Sequence, residues 1–245
     1  MLPLLRAFLF SEPCLFCDRV NRFTSILGVC LPCLRRLKRF TIHPECGFCG
    51  DDHEEEDWLC QSRNLFWDSL QFLWRAGPKE RQLIHACKSG VEYRFTGTFG
   101  VMGKWKPPLV DSICLVPSRD PARGRFFHPS ERLVQRIAAK HSIPVLDNLL
   151  RKDSKDRQAT KKRWERFKHA SEAWKLNFQP LPGTKILLVD DIFTTGASLG
   201  AIAKILKEVG VKEVHCLVSF RSTEDEELLP PDLEPEEPSW AGISI

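Results

Sequence analysis

The sequence predicts an α/β fold: a parallel sheet with helices packed on it, preceded by a small cysteine-rich, metal-binding module. Three observations carry this expectation. Short apolar runs such as Ile186–Val189 show no polar alternation, so they read as strands buried on both faces. These runs alternate with stretches of helical periodicity, which is the pattern of βαβ units. Seven of the ten cysteines lie before residue 61, where long apolar runs are few.

A chain of 245 residues can hold one full α/β domain and a small module. Its 42% apolar and 28% charged residues are those of a globular protein and exclude disordered and fibrous classes. The net charge is +4, but Thr223–Ile245 contains eight acids and no Lys or Arg, which leaves +12 on residues 1–222. A basic body favours polyanions, either phosphate substrates or nucleic acid. The chain has no run of about 18 apolar residues, so no transmembrane helix is expected. The start, Met1–Phe10, is apolar but broken by Arg6, and it lacks a basic n-region and a cleavage site. It reads as a packed or interfacial helix. Ten cysteines without an export signal indicate reduced thiols, metal binding and a cytoplasmic location.

The cysteines come first along the chain. Cys14-x-x-Cys17 and Cys30-x-x-Cys33 are separated by twelve residues, and two such turns present four thiolates to one tetrahedral ion. The loop between them is too small to own a core, so the metal supplies the folding energy. Zn2+ in a structural role is the expected occupant, with an iron–sulfur cluster as the rival. Cys46, Cys49 and Cys60 suggest a second site that lacks a fourth cysteine, because position 63 is Arg63. His43 or His53 could complete it, and the pairs could also interleave. The module is expected to span residues 1–63 and the α/β domain 64–222. An acidic, proline-rich tail at 223–245 is expected to be mobile.

Within the domain, Trp67–Trp74 reads as a strand, and Gly77-Pro78 as a turn that opens a helix. Leu83, Ile84 and Cys87 share one face of that helix, and Gly90 ends it. Asp111–Pro117 is a second strand, Pro129–His141 a helix and Pro144–Leu146 a short strand. Arg151–Lys175 carries ten basic and four acidic residues and looks partly helical. Its Trp164, Phe167 and Trp174 could stack bases of single-stranded nucleic acid, the alternative being a solvated basic face. Strand 185–190, helix 198–209, the stop at Gly210 and strand Val214–Phe220 complete a βαβ unit.

The chemistry is concentrated at Ile186–Ser198. A buried strand ends in Asp190-Asp191, and Thr194, Thr195, Gly196, Ala197 and Ser198 lead into a helix. Open α/β sheets bind ligands at the carboxyl ends of their strands. Backbone N–H groups at such a loop and helix start receive phosphate, and Gly196 allows close approach. Two aspartates can accept a pair of ribose hydroxyls, directly or through a metal. The pattern fits a sugar phosphate.

The block Leu187–Ser198 resembles the 5-phosphoribosyl-1-pyrophosphate (PRPP) motif of phosphoribosyltransferases. A cysteine module placed before it resembles the ComF family of competence proteins, over nearly all of residues 14–221. Phe66-Trp-Asp68, Gly77-Pro78, Leu83-Ile-His85 with Lys88, Val116-Pro-Ser-Arg119, and Gln158 with Arg163 or Arg166 add to the match. Arg125-Phe-Phe-His128 departs from the family's Arg-Gly-Phe-Asn, which puts the second substrate in question.

The resemblance implies a phosphoribosyltransferase-like (Rossmann-like) sheet that binds PRPP with Mg2+. Thr194, Thr195, Gly196, Ala197 and Ser198 would hold the 5-phosphate, and Asp190 and Asp191 the ribose hydroxyls or Mg2+. Lys88, Arg119 and Arg125 would neutralise pyrophosphate. Asp190, Asp191 and Arg119 would carry the chemistry of pentosyl transfer. His85 and His128 are the general-base candidates. The resemblance also implies work in DNA uptake, with partners in the competence machinery. Single-stranded DNA binding and PRPP sensing without catalysis are the alternative functions.

Overall fold

The computed structural model describes residues 12–21, 24–39, 66–88, 105–117, 128–152, 173–194 and 196–222. The Met1–Phe10 segment, the second cysteine group, most of the basic segment and the acidic tail lie outside the described residues. A helical turn, α1 (Thr24–Leu27), and helix α2 (Leu31–Arg39) belong to the cysteine region. The α/β elements are β1 (Ser69–Ala76), α3 (Pro78–Lys88), β2 (Ser112–Leu115), α4 (Glu131–His141), β3 (Leu150–Lys152), β4 (Trp174–Leu176), β5 (Lys185–Phe193), α5 (Ala197–Glu208) and β6 (Glu213–Ser222).

Four strands form one sheet in the order β1-β6-β5-β2, and every pairing in it is parallel. The central strand β5 buries Ile186–Val189 without interruption, as a strand covered on both faces must. Leu115 of β2 is level with Val189 of β5, and Val189 is level with Leu217 of β6. Val145 adds a single parallel bridge to Ile113, where a short strand was expected.

Each face of the sheet has its own core. On one face, Leu199, Ile202 and Leu206 of α5 pack with Leu70, Phe72, Ile186, Leu188, Val214 and Trp174. On the other, Ile84 of α3 and Leu133, Val134 and Ile137 of α4 pack with Leu73, Trp74, Leu187 and Phe220. Cys14, Val29, Cys30 and Leu34 join this second core, so the cysteine turns and the sheet share buried apolar surface.

Helix α4 ends at Ser142, which is left-handed (φ 55) although no glycine marks the stop. Gly210 does mark the end of α5, with φ 92. Of the segment 151–175, expected to be partly helical, only the ends are described. Its described ends, Arg151–Lys152 and Trp174–Lys175, belong to a two-stranded antiparallel sheet rather than to a helix. The observed β5 also runs three residues past the expected end at 190, to Phe193, so both aspartates are strand residues.

The amino-terminal edge of the sheet is tied by charges. Lys185 pairs with Glu213 at 2.7 Å, Lys207 with Asp68 at 2.7 Å, and Ser69 bonds His215 at 2.8 Å. The carboxyl-terminal edge, where β5 leads into α5, holds the acid pair.

Candidate functional site

Consecutive strand residues normally point to opposite faces. Asp190 and Asp191 nevertheless converge. The alternation of β5 slips here, since Val189 and Ile192 pack against the same core. The Asp191 N–H donates to Asp190 Oδ1 at 2.8 Å, which curls the first carboxylate back over the second residue. Asp191 is only 2% exposed, whereas Asp190 is half-buried. The register steps from Asp190↔Val218 to Ile192↔Phe220, leaving Asp191 level with Ser219.

A third side chain meets them. A ring nitrogen of His128 and one oxygen from each aspartate lie within 4.8 Å of one another. His128 is 9% exposed, and its Nδ1 accepts a hydrogen bond from the Ser130 N–H at 3.1 Å. The sequence offered His128 only as a lone candidate base. Its place beside residues 62 and more positions away depends on how α4 packs against β2, a long-range contact with no local signal.

The phosphate-type loop follows the acids. Thr194 is exposed, and Thr195 lies outside the described residues. Gly196 caps α5 in the left-handed region (φ 73), with no side-chain cap bond and no acid in the first turn of the helix. N–H groups at a helix start suit an anion. A methyl group on Gly196 would come within 2.9 Å of the Phe193 ring and 3.0 Å of the Trp67 ring. Trp67 and Phe193 meet edge to face, with centroids 6.4 Å apart, and form an aromatic floor under the turn. Helix α5 starts at Ala197, one residue earlier than expected, which puts Ser198 in its first turn.

Of the sequence-predicted residues, Asp190, Asp191, Thr194, Gly196, Ala197 and Ser198 share this edge of the sheet. Lys88 closes α3, but its side chain is not among the described residues, and neither are Arg119 and Arg125. The Val116 N–H donates to Val189 O at 2.9 Å, so the chain leaves β2 beside the acid pair at Pro117, two residues before Arg119.

The sulfurs of Cys14, Cys17, Cys30 and Cys33 also converge within 4.8 Å, and Cys17 and Cys30 are 3.5 Å apart. Four sulfurs at 2.3 Å from one ion would be about 3.8 Å apart, so the set fits a tetrahedral structural metal. At Cys14, burial opposes ionisation, but N–H bonds from Cys30, Phe16 and Cys17 outweigh it and bring the thiol down to about 7. Burial, with the neighbouring sulfurs, pushes Cys33 up, and burial raises Cys30 as well. Cys46, Cys49 and Cys60 lie outside the described residues. Among the described residues, no helix is long and apolar enough to cross a membrane.

The phosphoribosyl transferase domain family matches residues 130–232. Competence protein F of Haemophilus influenzae is 24% identical over 84% of this chain and 95% of its own length. Competence protein ComFC of Streptococcus pneumoniae is 36% identical over 45% of this chain, a match that spans 47% of that protein. Among solved structures, adenine phosphoribosyltransferase from Saccharomyces cerevisiae is 19% identical, with a TM-score of 0.31, over 79% of this chain and 90% of its own. The allosteric regulatory enzyme of purine biosynthesis is also 19% identical, with a TM-score of 0.33, over 46% of this chain and 22% of its own. The parallel sheet and the domain match make this an α/β fold of the phosphoribosyltransferase type.

Proposed function

We propose that this chain is a ComF-type protein and that it binds PRPP or a related phosphoribosyl ligand at the carboxyl edge of its sheet, in the service of DNA uptake. The observation that carries the reading is the convergence of Asp190 and Asp191 beside a glycine-capped helix start. In this reading the 5-phosphate lies on the N–H groups of 196–198 and the acids accept the ribose hydroxyls. Arg119 and Arg125 would neutralise the pyrophosphate.

Transfer would form a bond from an acceptor nucleophile to C1 of the ribose as the C1–oxygen bond to pyrophosphate breaks. Positive charge develops on the ring, and fixed carboxylates stabilise it, while the arginines stabilise the departing pyrophosphate. Mg2+, carried on the pyrophosphate oxygens, would add charge neutralisation to that departure. Zn2+ is the ion proposed for the four cysteines, because a closed thiolate set leaves no open position and serves structure.

The test is a thermal melt of the whole chain. Saturating PRPP with Mg2+ is expected to raise the Tm of the wild type, and Asp190→Asn with Asp191→Asn to abolish the rise. An unshifted wild-type melt overturns the reading. Exchange of labelled pyrophosphate into PRPP separates an enzyme from a sensor that binds without chemistry.

A further inference from the structure

His128, Asp190 and Asp191 have the composition and the 4.8 Å spacing of a metal site. The hydrogen bonding of the ring argues otherwise. A histidine that ligates a metal offers one bare nitrogen and donates the proton on the other to a carbonyl, carboxylate or water. In His128 the arrangement is reversed. Nδ1 accepts from the Ser130 N–H at 3.1 Å, so it carries no proton, and the neutral ring carries its proton on Nε2.

The support around the ring is built in. Ser130 precedes α4, and its carbonyl accepts from the Val134 N–H at 3.0 Å. Its hydroxyl lies 3.3 Å from that of Ser219 on β6, at the level of Asp191 on β5. The His128 carbonyl accepts from the Glu131 N–H at 3.1 Å. Of the six buried polar or charged residues among those described, four belong to this nook: His128, Ser130, Asp191 and Ser219. Polar side chains are retained in an apolar core where they are hydrogen-bonded, as Ser130 is to both His128 and Ser219. Two carboxylates on adjacent residues repel, and they need donors to stay together. Asp190 has one in the Asp191 N–H.

We propose that His128 is a positioning residue that presents Nε2–H to the acid pair, with no metal ion between the carboxylates and the ring. This rests on the phosphoribosyl reading above.

The test uses the full, zinc-loaded chain. Nitrogen NMR of labelled histidine is expected to show the Nε2–H form at His128. Ribose 5-phosphate, which lacks pyrophosphate, is expected to bind equally well with and without added Mg2+. His128→Leu is expected to weaken that binding about tenfold, the scale of a hydrogen bond to a charged group. His128→Gln, whose amide N–H reaches the place of Nε2, is expected to restore most of it. Mn2+ added alone is expected to give no imidazole nitrogen coupling in its EPR spectrum.

An Nδ1–H ring, nitrogen coupling to Mn2+, affinity that requires Mg2+, or a glutamine variant no better than leucine overturns the proposal. If the wild type shows the Nε2–H ring yet binds neither ribose 5-phosphate nor PRPP, the phosphoribosyl reading falls with it. The tautomer, read on the wild type, does not depend on whether a variant folds.

Discussion

At Gly196 two constraints coincide, a backbone at φ 73 and ring atoms 2.9 Å from where a Cβ would stand. Either alone disfavours a side chain. Gly196→Ala is therefore expected to cost about 2 kcal/mol in chemical denaturation, from left-handed strain and local overpacking. It is also expected to remove the PRPP-induced rise in Tm. The need for glycine here was readable from the Thr-Thr-Gly pattern, and so was the acid pair. The floor of Trp67 and Phe193 was not, because one ring comes from the segment before β1 and the other from the end of β5. His128 escaped for a similar reason. Its ring is held by a backbone N–H two residues away, and its partners lie on a different strand, so no spacing rule connects them.

Among the elements, the strand–helix–strand unit β5-α5-β6 was legible almost to its ends, because continuous burial and a clear helical stripe leave little choice. The small sheet of β3 and β4 was not. Strands of three residues carry too little periodicity to register against a basic, mixed background. The cysteine turns make a sharper element-scale prediction, since Cys14 and Cys30 lie in the same core as Trp74 and Phe220. Chelating the metal is expected to lower the Tm of the whole chain in a single transition, not to melt a separate module. Two transitions by calorimetry would contradict the shared core. The affinity for zinc is expected to rise with pH. The raised thiols of Cys30 and Cys33 keep their protons in the metal-free protein and must release them on binding. A zinc-competition titration at about pH 6 and about pH 8 checks the sign, with weaker binding at the lower value.

For the whole molecule, the uneven charge is the main lever. Residues 1–222 carry +12, and the eight acids beyond them offset part of it. Single-stranded DNA is expected to bind at low salt and to dissociate steeply as salt rises, because each phosphate contact releases counterions. Absence of a complex at about 50 mM salt would remove nucleic acid as a direct partner. This prediction stands apart from the sugar-phosphate edge, since the aromatic-basic stretch at 153–172 lies outside the described residues.

Trp67 lies under the turn that Gly196 caps, with its ring 3.0 Å from the position a methyl group would take there. An indole in that place is a built-in optical probe. Any anion that settles on the turn changes the field around it, so occupancy should register as a shift in its ultraviolet emission, with no label attached. Trp67→Phe would silence that signal while keeping an aromatic floor, which ties the fluorescence to this one spot.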